Sequence, residues 1–181
     1  MDYILHRQAI ALLKVGKTQA ALNAFENLKD NFSTSRYLDD IDYYVGLAAF
    51  KKNNYKTAVA KMENYLKSNS RASGFMSEAN YVLAVSYLNL KQPEEALKLF
   101  QKILRLYPDD QNVARNSDIG IAKCQFQLGQ IKEAVKRFKL IVFKYPKTEA
   151  EYESLLWLAQ FYLKNADYLQ AIDYYQQIID R

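Results

Sequence analysis

Half of the 181 residues are apolar and a quarter are charged, a balance that can build a core and is not that of a disordered chain. With only 5 Gly and 3 Pro, helices are favoured over a β fold rich in hairpins. The net charge is a modest +5, the single cysteine excludes an internal disulfide, and no apolar run approaches the roughly 18 residues of a membrane span.

The chain opens on "MDYILHRQAI", which has neither a signal-sequence pattern nor a cysteine for lipid attachment. Apolar residues at steps of three and four then predict helices over 2–15 and 18–31, with Gly16 as the left-handed turn between them. The next pair is expected at 37–51 and 55–68. Asp39, Asp40 and Asp42 open its first helix, where carboxylates complement the helix dipole. A calcium loop would need a glycine and a distal Glu that are absent here. A third pair is expected at 76–90 and 93–106, with Pro93 at the first position of its second helix, where a missing N–H costs nothing. The fourth, at 112–128 and 131–144, turns at Gly129; the fifth is expected at 149–164 and 168–180.

These pairs are copies of one unit. Small residues recur with a nearly constant period at Ala21, Ala58, Ala96, Ala134 and Ala171. Twelve positions before each stands another: Ala9, Gly46, Ala84, Ala122 and Ala159. Four positions after each comes Phe25, Met62, Phe100, Phe138 or Tyr175, and seven after comes Leu28, Tyr65, Ile103, Ile141 or Ile178. A fixed period of this size marks a stacked repeat array, in which no helix pair buries its apolar stripe alone. The small residues allow two helices to cross closely. In "LRLYPDD" and "VFKYPKT", one period apart, Tyr107–Pro108 and Tyr145–Pro146 end a helix, since proline cannot continue it. Phe32–Ser33 and Asn69–Ser70 fill the same places.

The pattern resembles tetratricopeptide repeats over essentially the whole chain. The family's small residues, aromatic and closing proline match Ala84, Ala96, Phe100 and Pro108. The period is 37–38 rather than the family's usual 34, and the late second-helix position is large rather than Ala. "F-x-x-I-x-x-x-Y-P", at Phe100–Pro108 and Phe138–Pro146, resembles a bacterial envelope subgroup. That subgroup includes the outer-membrane-assembly lipoprotein of the β-barrel machinery and the Tol–Pal-associated coordinator. The resemblance implies an all-α, right-handed superhelical solenoid of about five helix pairs (ten helices), with repeats at 2–35, 37–72, 76–110, 112–147 and 149–181. It also implies a periplasmic location, with the cytoplasm as alternative. The repeats are expected to form one domain, 1–181, and the end at "QQIIDR" is expected to be a cut from a longer protein or an array continued by a partner.

The expected function is non-enzymatic: a scaffold that holds a peptide segment or partner protein in a concave groove lined by the first helix of each pair. The groove residues would be Tyr43, Leu47, Phe50 and Lys51, then Tyr81, Val85, Leu88 and Asn89, then Ile119, Lys123, Phe126 and Gln127. The Lys and Asn clamp of chaperone-binding relatives falls here on His6, Ile10, Tyr43, Tyr81 and Val85, so a co-chaperone role is disfavoured. The alternative is a docking or regulatory domain of a larger enzyme or cytoplasmic complex. His6, the only histidine, has no second ligand at metal spacing and is expected at the surface or in the groove; Cys124 is expected to be a packed free thiol. Neither phosphate loop, nucleophile elbow nor zinc motif occurs, so no cofactor or metal is expected.

Charge is uneven. Residues 115–147 carry Arg115, Lys123, Lys132, Lys136, Arg137, Lys139, Lys144 and Lys147 against Asp118 and Glu133, a net +6, while 148–181 carry a net −4. Such a boundary suits an acidic partner or copies paired head to tail, against the simpler reading of a solvated face. Nucleic acid would call for a longer basic stripe with interleaved aromatics. An open C-terminal edge with Trp157, Phe161, Ile172, Tyr175 and Ile179 is expected to be covered, by self-association or crystal contact or by a following helix of the parent protein.

Overall fold

The computed structural model describes residues 1–68 and 74–181. Among them are ten α-helices: α1 (Asp2–Lys14), α2 (Thr18–Asn31), α3 (Ile41–Lys51), α4 (Tyr55–Ser68), α5 (Met76–Asn89), α6 (Pro93–Leu106), α7 (Gln111–Gln127), α8 (Ile131–Lys144), α9 (Glu149–Lys164) and α10 (Tyr168–Ile179). The expected spans hold to within a residue or two, with one exception. Residues 37–40 do not begin α3. Arg36–Leu38 form a short 3₁₀ turn, capped by Ser35, whose hydroxyl accepts from the Tyr37 N–H. Asp40 takes the N-cap position of α3 without a side-chain cap bond. The apolar Tyr37 and Leu38 look helical in sequence but pack onto the first helix pair instead.

The repeat is written into the backbone. A left-handed residue ends each hairpin turn: Gly16, Asn53, Lys91, Gly129 and Ala166, with φ between 58° and 80°. Glycine takes this conformation freely; Lys91 and Ala166 hold it against their own Cβ. Helix ends repeat as well. Phe32, Tyr107 and Tyr145 are C-caps that share one non-helical backbone geometry, φ from −125° to −140° with ψ from 52° to 58°, each N–H donating to the carbonyl four residues back. Phe32 does this before a serine, so the proline at the other two reinforces the stop and is not its cause. The matching pair Asn69–Ser70 lies outside the described residues.

The chain divides into two compact units, Met1–Leu90 and Lys91–Arg181. In unit 1, α1 packs on α2 and α3 on α4 around Ala9, Ile10, Phe25, Leu28 and Val45. Leu5, Leu22, Phe32, Ile41 and Tyr44 close its rim. Unit 2 builds the same arrangement from Ile119, Ala122, Phe138, Ile141, Ala150 and Leu158. Trp157 stacks on Phe138 at 4.0 Å between centroids. The small columns are buried in every pair, which permits the close helix crossings. Fully burying one such Phe or Ile is worth about 1.5–3 kcal/mol. At Gly120 the backbone of α7 lies directly against the Phe100 ring.

The α10 stripe differs. Its positions match those of α8, which α9 covers, yet Ile172 and Ile179 are 61% and 74% exposed and Tyr175 is half-buried. Trp157 and Phe161 do not belong to this edge: they stack on one another at 5.2 Å, and Trp157 faces Phe138.

Candidate interaction faces

In unit 1 the first helices α1 and α3 lie side by side. Between them is an apolar cleft of about 130 Å³, lined by Ile10, Leu13, Tyr44, Leu47 and Ala48 with Lys14 and Lys51. Leu47 and Lys51 thus line this cleft. Phe50 is half-buried, with its ring edge-on to Tyr55. Tyr43 does not line a groove. It is 2% exposed, stacks on Phe75 at 4.3 Å and donates its hydroxyl to Glu78. Burial and that carboxylate push its phenol well above the usual tyrosine range. On α5, Tyr81 and Val85 are half-buried and Asn89 is exposed, bonded back to the Val85 carbonyl, whereas Leu88 is core.

His6 is likewise not a surface residue. Its ring stacks on Tyr37 at 4.9 Å, with Phe25 and Tyr44 beside it, and both ring nitrogens are buried without a hydrogen bond. Burial, then the Arg7 charge, pulls its pKa down. The 3₁₀ turn that displaced the start of α3 is what brings Tyr37 over it.

In unit 2, Ile119 is a core residue rather than a groove residue, packed with Ala122 and Phe138. Lys123 pairs with Glu153 across α7 and α9 at 2.5 Å. Gln127 is exposed, and Phe126 is 39% exposed, edge-on to Trp157 at 5.2 Å and to Phe161 at 6.4 Å. Phe126, Trp157 and Phe161 thus form one aromatic cluster on the first-helix side.

The sequence reading missed a buried ionic site. Asp118, counted only as one negative charge, accepts from Arg137 at 2.8 Å, Lys144 at 2.9 Å and the Tyr145 hydroxyl at 2.6 Å. Its side chain is almost wholly buried, so three donors replace lost water. Burial, then Asp118, raises the Tyr145 pKa. A signal existed: Asp42 and Lys61 form the equivalent pair at 2.8 Å, with the same separation along the chain as Asp118 and Arg137. Asp42 is therefore an ion-pair partner as well as a first-turn carboxylate. Much of the basic run is spent inside unit 2, on Asp118 and Glu153. The Cys124 thiol is buried, and desolvation followed by the Glu94 charge pushes it up to about 12. Among the described residues no cluster of metal-ligating side chains forms, and no helix is long and apolar enough to cross a membrane.

No curated protein matches this chain. Solved structures do. MamA from Desulfovibrio magneticus RS-1 is similar over 99% of this chain and 93% of its own, at 17% identity and a TM-score of 0.76. A kinesin light chain of Podosopora anserina with nearly identical TPR-like repeats aligns over 98% and 93%, at 17% identity and 0.72. YrrB, a TPR protein with an unusual peptide-binding site, aligns over 97% and 84%, at 19% identity and 0.69. At these identities the likeness establishes the fold, an all-helical tetratricopeptide-repeat fold. A tetratricopeptide-repeat model matches residues 153–181, and the YfiO model, described as outer membrane lipoprotein, matches residues 2–166. The chain therefore belongs to the YfiO family of outer membrane lipoproteins.

Proposed function

We propose that this protein is a non-enzymatic scaffold of a bacterial cell-envelope assembly, holding a peptide segment or partner protein against its first-helix faces. The observation that carries the reading is the α1–α3 cleft, whose apolar floor is Ile10, Leu13, Leu47 and Ala48 and whose rim carries Lys14 and Lys51. Its volume of about 130 Å³ is well under the roughly 300–1,000 Å³ of sites for drug-sized ligands, so it fits a side-chain anchor rather than a cofactor. Anchors of this kind carry most of the energy in peptide recognition. Membership of an outer membrane lipoprotein family supports the envelope, and the peptide-binding site of the similar YrrB supports a peptide partner. In the same reading the exposed α10 stripe at Ile172 and Ile179 takes a second copy; light scattering on Ile172→Glu checks that part.

The test is site-specific photocrosslinking in the cells that make the protein. A photoreactive residue at Lys51 should give one defined partner adduct, which Leu47→Glu in the half-buried cleft wall should reduce at unchanged protein level. A residue at the exposed Lys98 of α6 should not give it. Equal adducts from Lys98, or none from α3, would overturn the proposal.

A further inference from the structure

The outward face of α8 carries three of the basic residues of the run that the fold does not pair with a carboxylate. Arg137 and Lys144 are held by Asp118, and Lys123 by Glu153. Lys132, Lys136 and Lys139 have no carboxylate partner among the described residues, although Lys139 also lies over the Tyr162 ring at 5.5 Å. At 100° per residue these three fall on one side of α8 together with Leu140 and Phe143. Phe143 is 85% exposed, the most open large hydrophobic side chain among the described residues, and Leu140 is exposed one turn before it. Beside this face is a cleft of about 400 Å³ between α8 and α9, floored by Ile131, Val135 and Phe161 and walled by the three lysines. Single exposed apolar residues mean little, but an apolar cleft and two exposed anchors along a row of uncompensated charge form a continuous surface.

We propose that this surface docks an acidic amphipathic helix of a partner protein. From Lys132 to Phe143 α8 rises about 16 Å, three turns, which matches a short helix laid alongside it. Apolar side chains of the guest would fill the cleft and cover Phe143, and its carboxylates would meet Lys132, Lys136 and Lys139. A helix rather than a lipid surface fits because the cleft floor is more buried than the lysines around it. The exposed Leu140 and Phe143 would suit a lipid surface as well, and the vesicle arm below separates the two. Apart from Phe161 of α9, this surface lies on a second helix of its pair, and it does not depend on the α1–α3 cleft.

The probe is a synthetic helical peptide of Glu and Leu, with a Lys and Leu counterpart, followed by fluorescence anisotropy. Anionic phosphatidylglycerol vesicles are the second arm. The Glu–Leu peptide should bind, and salt should weaken it. The double substitution Lys132→Glu with Lys136→Glu, and separately Phe143→Ser, should each weaken it about tenfold or more. All three positions are exposed, so the melting temperature should stay within a degree or two of the parent. Lys98→Glu and the α3 change Leu47→Glu should leave binding intact. Equal binding of the Lys–Leu peptide, indifference to the double reversal, loss through Leu47→Glu, or vesicle binding as tight and as sensitive to the same changes would each overturn the proposal.

Discussion

Both units place a polar side chain inside the same kind of helix pair, and they treat it differently. In unit 2 the Asp118 carboxylate meets three donors from the second helix and its C-cap. In unit 1 the His6 imidazole is enclosed by Tyr37, Phe25 and Tyr44, and neither nitrogen finds a partner. Geometry decides the outcome. Asp118 points across its pair at the Arg137 cation on the second helix, whereas the side of α1 carrying His6 meets an aromatic turn. A satisfied buried charge fixes one packing; an unsatisfied ring is tolerated only while it stays neutral.

The strongest way to test this contrast is to remove the matching cations. Arg137→Met leaves the buried Asp118 with two donors and should cost about 1.5–3 kcal/mol, the range for a hydrogen bond to a charged group. Lys61→Met removes the equivalent pair with Asp42, where both partners are about a third exposed, and should cost under about 1 kcal/mol. Urea melts giving equal losses would mean that burial of the acid does not set the difference.

Glycines on the first helices extend the comparison to packing. A methyl at Gly120 would overlap the Phe100 ring, which cannot swing away inside the core, so Gly120→Ala should cost about 1–3 kcal/mol. At Gly46 the added carbon lies 3.1 Å from the Lys61 Cβ and from the tip of Met62, a flexible side chain. There the helix-propensity gain of about 1 kcal/mol should cancel the crowding, leaving Gly46→Ala near the parent. A larger loss at Gly46 than at Gly120 would contradict this ordering.

The turns give a smaller pair of effects with opposite signs. Gly16→Ala forces a Cβ into the left-handed region and should cost about 1 kcal/mol. Ala166 already occupies that region, so Ala166→Gly should gain up to about 1 kcal/mol, offset in part by the looser unfolded chain. Thermal melts with both changes of the same sign would show that the turn conformation is not what matters.

Much of this fold was legible because its signals are local. Apolar steps of three and four, Gly16 and Gly129 in their turns and Pro93 at a helix start each act within one or two turns of chain. The exception, the start of α3, is also instructive: Tyr37 and Leu38 are apolar enough for a helix, but a 3₁₀ turn spends them on His6 and the first core. The interaction faces were legible only in part. Angular position on a helix says which way a residue points, not what covers it. Tyr43 points as Leu47 does but is covered by Phe75, which lies beyond the whole of α4 in the chain, and Ile119 is taken up by Phe138. The ion pairs could have been found from their shared spacing, but Asp42 was read as one of a local acidic cluster and Asp118 as part of a charge total.

The subtlest prediction concerns the unsatisfied ring. Burial lowers the His6 pKa below the ordinary 6.5, so below that pH the unfolded chain binds a proton that the folded chain resists. Stability must therefore fall as pH drops from about 7 through 6.5 toward the lowered native pKa, and flatten once both states are protonated. The charge nearest the ring does not reverse this sign: Arg7 on the same helix opposes protonation. His6→Phe keeps the ring packing against Tyr37 and Phe25 and has no nitrogens to desolvate. It should match or exceed the parent near pH 7 and lose less stability on going to about pH 5.5, above the range where most carboxylates titrate. Urea melts at several pH values would show the two curves converging at high pH and separating at low pH. Parallel curves would mean that another group carries the acid sensitivity, and that unit 1 tolerates its buried histidine in either charge state.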